Sequence, residues 1–508
     1  MFPQTNLPSN AQELLGQLKT QSEASWLARG EKQALKLFAE MANRVPAYQD
    51  FLKKHSINAG EIKTLADFQQ VPLTNKENYL LAYPLENLCW DGKFKGEKWE
   101  ISSTSGSTGE PFYFPRTKFQ DEQFKLTAEI CFIDFFEIDK KSTLFIDCFA
   151  LGVWIGGVFM YQAVKYLMDS DKYALSIITP GADKTEAIKA IKKLSQKFDQ
   201  IIIGGYAPLV KDLIDVGINQ GLLWQNYEVK YFFAAEGFTE GYRDYIIKRG
   251  GAKNVFTDTI NHYGTADLGT MSNETPLSIL IRRLSLKDPT LATALFSQSH
   301  KEPTLTQFIP ELYYFEQVGN RVVCSSCGGL PLVRYDLKDR GGVRTLKEVT
   351  AILKEKNIDL AAEIERHGLA KLIWQLPFVF LYERDDLTAS IYSVNIYPES
   401  IRKALLVPGL EDEVSGKFTM LVDYDQGQNQ FLQINLELKD GHAPSEAIEK
   451  QALEAIVASL LNENSEWRDF YHDETIRHKV MPKLLFWPYQ DPLHFKPVGK
   501  QKWVKKNK

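Results

Sequence analysis

Cysteine is scarce in this chain. The five present (Cys89, Cys131, Cys148, Cys324 and Cys327, in 508 residues) are odd in number and too few for a disulfide framework, which points to a reducing compartment. An excess of one charge is also lacking. Lys plus Arg number 60 against 65 Asp plus Glu, a net of −5, so no global field draws nucleic acid. Internal repeats and low-complexity tracts are absent. One long apolar run exists, Cys148–Val164 (CFALGVWIGGVFMYQAV), at the lower limit of roughly 17 residues for a membrane span. Asp147 and Lys165 bound it and Gly152, Gly156 and Gly157 interrupt it, so it reads as a strand end, a glycine turn and a helix start. The opening segment MFPQTNLPSNAQELL has neither the basic start nor the apolar core of a signal peptide. The expectation is a cytoplasmic protein with no membrane and no nucleic-acid partner.

Hydrophobic residues make up 44% and charged residues 25%, the profile of a globular protein, and the length suits one large domain plus a smaller one. The first 70 residues or so read as helices, with Ser9 as a cap and Leu14, Leu15 and Leu18 on one face. From Ser142 to Val216 apolar runs (LFIDCF, ALSIIT, IIIG) alternate with segments of helical spacing, among them Ala187, Ile188, Ile191 and Leu194, then APLVKDLIDV. Such alternation predicts an α/β fold with doubly wound, mixed or parallel sheets. Ligands in these sheets bind beyond the carboxyl ends of the strands, which directs attention to the loops after Phe149, Gly204 and Ala234. A charged helical insert is expected over about 341–370. The large domain is read as 1–382 and a small, mobile α+β domain as 383–508, with a basic tail.

Several segments carry chemistry. ISSTSGSTGEPF (Ile101–Phe112) combines glycines and hydroxyls in a flexible loop whose N–H and O–H groups suit an anion. No Lys follows Gly109, so it is not a Gly-x4-Gly-Lys-Ser/Thr loop. FFAAEGFTEGYRDYI reads as a strand followed by an acid-rich helix start. Cys324 and Cys327 form a lone Cys-x-x-Cys without a second pair; zinc needs about four ligands, so they read as incidental thiols in a loop before Pro331.

Taken in order along the chain, these segments resemble the adenylate-forming ligases, and within them the phenylacetate–coenzyme A ligase group. Thr104-Ser105-Gly106-Ser107-Thr108-Gly109-Glu110-Pro111 is similar to that family's phosphate loop, with Glu110 where the family has Lys. Ala235, Glu236 and Gly237 match the segment lining the adenine side of the pocket. NHYGTADLG resembles the Tyr-Gly-x-x-Glu motif: Tyr263 would stack on adenine, Gly264 would be a cofactor-binding residue beside it, Thr265 would contact the α-phosphate, and Asp267, in place of Glu, the Mg²⁺ ion. PLVRYDLKDRGG places Asp339 at the ribose hydroxyls. YERDDLTASIYSVNIYPESI puts Arg384 at the ribose and Asp386 at a hinge, with Glu383 and Ser393 standing where the family has glycines. FKPVGKQKWVKK supplies Lys500 as the adenylation lysine, with Lys502 a near competitor.

The resemblance implies ATP, Mg²⁺ and a carboxylic acid as reactants, an acyl-adenylate intermediate, and transfer to a thiol, coenzyme A or a carrier protein. Transfer to an amine and a non-catalytic nucleotide-binding role stay open, and homodimers are common in the family. Walls from Phe149–Gly157, Gly204–Pro208, Phe232–Phe238 and Asn261–Gly264, with Trp154, Tyr206, Phe232 and Phe233, favour an aromatic or otherwise apolar acid.

Overall fold

The computed structural model describes residues 7–103, 112–152, 155–297, 302–384, 389–405, 407–492, 494–495 and 504. Within these the chain forms two compact units that divide between Glu383 and Arg384, with residues 103 and 112–113 counted to the smaller one.

Helices Ala11–Thr20, Glu23–Arg44 and Pro46–Lys54 open the larger unit. Asn10, not Ser9, caps the first: its side chain accepts from the Glu13 N–H, while Leu14, Leu15 and Leu18 are buried as their spacing requires. A two-stranded ribbon follows, β1 (Glu100–Ser103) and β2 (Tyr113–Arg116). The main sheet has eleven strands. Five form its parallel run: β3 (Thr143–Asp147), β4 (Leu175–Ile178), β5 (Gln200–Tyr206), β6 (Val229–Ala234) and β7 (Thr259–Thr265). Then come β8 (Gly269–Asn273), β9 (Thr304–Gln307), β10 (Tyr313–Val318), β11 (Arg321–Ser326), β12 (Leu332–Arg344) and β13 (Phe378–Arg384). Their order across the sheet is β10-β11-β12-β13-β9-β8-β7-β6-β5-β3-β4. The parallel run is doubly wound as expected, and the pairings β7–β8, β8–β9, β9–β13, β10–β11 and β11–β12 are antiparallel.

The apolar run beginning at Cys148 does split into a strand end and a helix, with β3 ending at Asp147 and a helix spanning Ile155–Met168. Among the described residues no helix is long and apolar enough to cross a membrane. Three expectations need correction. No loop follows Gly204, because β5 runs on to Tyr206 and a helix starts at Ala207 with Pro208 in its first turn. The insert begins later than 341: β12 continues through Arg344, and Thr345 then caps helix Leu346–Glu355 in a reciprocal box with Glu348. Cys324 lies on β11 rather than in a loop, and all five cysteines are free and buried.

The smaller unit contains the hairpin β14 (Ala389–Ile391) and β15 (Val394–Ile396), and a sheet of β16 (Val414–Tyr424), β17 (Gln430–Leu438) and β18 (Lys483–Trp487). Helix Glu446–Glu463 and shorter helices complete an α+β unit. The β14–β15 turn is Tyr392-Ser393, both with positive φ (49° and 67°), the geometry of a two-residue hairpin that favours glycine.

Two predictions concern stability. Ser393→Gly removes a left-handed Cβ and should stabilise the full chain by about 0.5–1 kcal/mol in urea unfolding; no gain would show that the turn carries no strain. Asp147 is fully buried, and its Oδ2 has no partner among the described residues. Burial pushes its carboxyl up to about 7 against the opposing Phe149 N–H. Its protonated form therefore stabilises the fold below about pH 4, and that contribution is lost as pH rises through 7. Asp147→Asn should become steadily more stable relative to the native chain between pH 5 and pH 8. Parallel denaturation profiles for the two would contradict this.

Candidate functional site

Three of the segments singled out in the sequence, around Ala235–Gly237, Asn261–Gly269 and Asp339, come together near the carboxyl ends of β6 and β7. The chain leaves β6 through Ala235, which has φ of +78°, a strained value for a residue with a side chain. At Gly237 any Cβ would collide with the Thr304 hydroxyl on β9, so the chain passes there only because the side chain is missing. Asn261 on β7 holds this passage, its side-chain N–H donating to the Glu236 carbonyl at 3.0 Å. Ala235, Glu236 and Gly237 are thereby fixed beside the end of β7.

On β7 the two-residue strand period separates neighbours. Tyr263 turns toward the antiparallel strands: its hydroxyl donates to Asp339 Oδ2 on β12 at 2.5 Å, and its ring lies 6.4 Å from Phe315. Asp339 is buried. Next along, Thr265 Oγ1 accepts from the Leu268 N–H at 3.2 Å, closing the β7–β8 turn that presents Asp267. Tyr335 on β12 donates its hydroxyl to Asp267 Oδ2 at 3.1 Å. Two tyrosine–aspartate bonds thus link the β7–β8 hairpin to β12, and both involve a carboxylate singled out in the sequence. Tyr335 was not singled out; its place inside the Pro-Leu-x-Arg-Tyr run was its one signal.

β12 is held in turn by Arg334, whose guanidinium bonds the Gln69 and Val71 carbonyls and Glu316. Backbone bonds between Thr74 and the Arg334–Asp336 stretch add a second tie. Around the phosphate-loop segment, buried Arg116 on β2 bonds Ser102 and pairs with Glu100 at 3.1 Å and Asp121 at 3.6 Å, joining the two strands that lead into it. Ser105, Gly106, Ser107, Thr108, Gly109, Asp386 and Lys500 lie outside the described residues, as does the side chain of Arg384.

Beneath these segments lies a buried network of four charges. Glu274, directly after β8, receives Arg243 at 2.7 Å and Arg282 at 2.6 Å on one oxygen and the Asn261 N–H at 2.9 Å on the other. Arg243 also bonds Glu240 at 3.0 Å and the Thr259 carbonyl, and Arg282 bonds the Phe238 carbonyl at 2.6 Å. Although burial alone would raise the Glu240 carboxyl, Arg243, Arg282 and Arg283 hold it below the usual carboxylate range. The network grips the backbone after β6 and at the start of β7.

The aromatic expectation needs one revision. Phe233 stacks on Tyr231 and packs against Phe238, while Phe232, one residue away, faces Phe132 and His262 on the opposite side of the sheet. The two rings therefore cannot line one pocket. Cys324 and Cys327 have thiols raised by burial, Cys327 to about 12, and so stay protonated. Among the described residues no three His, Cys, Asp or Glu side chains converge as a metal cluster.

Removing one partner from the buried network strands the rest, which costs about 3–5 kcal/mol. Glu274→Ala should lose that much in urea unfolding, and Asp244→Ala, whose partner Arg283 is on the surface side, less than about 1 kcal/mol. Equal losses would show that burial of the network does not matter.

No family model matches the chain, and no curated protein sequence matches it significantly. Solved structures do. 2-Hydroxyisobutyryl-CoA ligase in complex with 2-HIB-AMP and CoA, in its thioesterification state, aligns with a TM-score of 0.64 at 14% identity, covering 97% of this chain and 92% of that one. The same ligase in its postadenylation state with R3-HIB-AMP aligns with a TM-score of 0.52 at 14% identity over 97% and 92%. Its open conformation with 2-HIB-AMP and CoA aligns at 0.50 and 14% over 96% and 91%. At this identity the shared property is the fold. Over nearly its whole length, this chain is folded like 2-hydroxyisobutyryl-CoA ligase.

Proposed function

We propose that this chain is an AMP-forming acid–thiol ligase that activates a carboxylic acid with ATP and passes the acyl group to coenzyme A. The observation that carries the reading is the pair of bonds Tyr263–Asp339 and Tyr335–Asp267, which join two separately recognised motifs into one polar surface at the strand ends. The nucleotide-bound ligase of the same fold, with its adenylate and CoA complexes, supports it. The motif set favours the phenylacetate–coenzyme A ligase group and an apolar acid.

In the first step a carboxylate oxygen attacks the α-phosphorus of ATP; that O–P bond forms as the P–O bond to pyrophosphate breaks. Tyr263 bounds the adenine with Gly264 beside it in the nucleotide site, Asp339 and Arg384 take the ribose hydroxyls, and Ser105–Gly109 embrace the outer phosphates. Ala235, Glu236 and Gly237 close the adenine side. Lys500 places an ammonium where negative charge builds up in the transition state. Asp267, oriented by Tyr335, would hold Mg²⁺ as the single protein carboxylate beside the substrate phosphates, which suits an ion that takes one or two carboxylates. When bound, that ion neutralises phosphate charge. In the second step the coenzyme A sulfur attacks the acyl carbon, and the bond to AMP breaks. Asp386 is the hinge that exchanges Lys500 for the thiol path between the steps.

Exchange of labelled pyrophosphate into ATP, with a panel of aryl and aliphatic acids, tests this. Acid-dependent exchange should fall by about 10²–10³ in Lys500→Ala, with a thioester appearing only when coenzyme A is added. ATP binding without exchange for any acid would instead support a nucleotide-binding module. Exchange without thioester would move the acceptor to an amine or a carrier protein.

A further inference from the structure

The NHYGTADLG segment has two buried polar side chains that the proposed chemistry leaves unused, Asn261 and His262, and only His262 has a side-chain nitrogen without a partner among the described residues. His262 occupies the last fully buried position of β7, on the face opposite Tyr263. Only 5% of it is exposed. Its Nδ1 lies 2.6 Å from Asn273 Oδ1, directly across on β8. In that arrangement Nδ1 carries the proton and donates, and Nε2 presents a lone pair. Burial lowers the imidazole to about 4, outweighing Asn273, so it is neutral at neutral pH.

Nε2 is buried and has no hydrogen-bond partner among the described residues. A stranded buried acceptor is destabilising, so its retention asks for a reason. Its surroundings are apolar: the rings of Phe124 and Phe232 lie 5.9 Å away, and Phe159 packs on Phe124 at 4.4 Å. It faces Gly264, the next residue on the same side of β7, where an added Cβ would sit 3.3 Å from Nε2. With no side chain at Gly264, which lies between Tyr263 and the β7–β8 turn in sequence, that nitrogen lies beside the end of β7.

We infer that His262 Nε2 is the specificity acceptor of the acid pocket, taking a hydrogen bond from a neutral hydroxyl or amino group on an otherwise apolar carboxylic acid. The carboxylate's role rests on the adenylating function proposed above; the recognition of the donor group does not. The aromatic walls accept the hydrocarbon part of the acid, and Asn273 holds the ring in the tautomer that accepts. An acid lacking the donor leaves Nε2 desolvated and unpaired, which is how a buried polar group discriminates against an apolar analogue.

The test compares acids in pairs that differ by one hydroxyl: 2-hydroxyisobutyrate with isobutyrate, salicylate and 4-hydroxybenzoate with benzoate, and 4-hydroxyphenylacetate with phenylacetate. Affinities for the full chain are measured by calorimetry in the presence of ATP, alongside pyrophosphate exchange. At least one hydroxylated member should bind tenfold or more tightly than its partner. In His262→Leu the gap should close, with the unsubstituted acid bound as well as or better than by the native chain. His262→Phe keeps a ring between Phe124 and Phe232, and gives the same reading should the leucine variant fold poorly. No preference in any pair, or a preference that survives both substitutions, overturns the assignment. A preference lost on substitution but without exchange leaves His262 as the recognition residue and removes the adenylating function instead.

Discussion

The geometry at the strand ends depends on four charges buried where water cannot reach them. Glu240, Arg243, Glu274 and Arg282 come from two helices and the end of β8, and each is almost fully enclosed. None could sit there alone, because an unpaired charge in such a place would unfold its surroundings. Paired, they leave spare donors and acceptors that reach backbone: the Thr259 and Phe238 carbonyls and the Asn261 N–H. These atoms flank the residues proposed to handle nucleotide and acid, Phe238 just after Gly237, and Thr259 and Asn261 just before His262 and Tyr263. The network thus converts electrostatic necessity into position, fixing the passage from β6 to its helix against the start of β7.

On that base the pleat of β7 separates two unlike surfaces. Tyr263 points to the antiparallel strands and to Asp339, whereas His262 points to the helices and to Phe124 and Phe232. Adjacent residues on one strand cannot face the same side. One strand therefore serves a polar surface suited to a nucleotide on one face and an apolar, aromatic one on the other. Both surfaces run to the end of β7, where the β7–β8 hairpin with Asp267 turns back.

Much of this architecture was legible along the chain. Apolar runs alternating with helical spacing specify parallel strands joined by crossover helices, because a strand buried on both faces must be apolar throughout. The apolar run after Asp147 could be read as strand, turn and helix from its glycines. The extent of β12 was not legible: Gly341 and Gly342 read as the start of the charged insert, yet these glycines let the strand lie against Phe380 of β13. Nor did composition reveal that Phe232 and Phe233 part company, since aromatic content says nothing of facing. Cys324 looked like loop for the same reason, its strand character coming from pairing with Phe315 and Tyr335.

The candidate site divides in the same way. The sequence by itself determined which residue types stand in which order: hydroxyls and glycines early, Tyr263 and Asp267 in the middle, Asp339 beyond, and a lysine in the basic tail. Such motifs are legible because they are local, a few neighbouring residues whose chemistry is written in their identity. Only the tertiary structure decided that Tyr263 meets Asp339 across 76 positions, that Tyr335 meets Asp267 across 68, and that His262 is left, among the described residues, with an unsatisfied nitrogen beside phenylalanines. Those facts arise from non-local pairing of strands and from burial, which depend on every element packed around them.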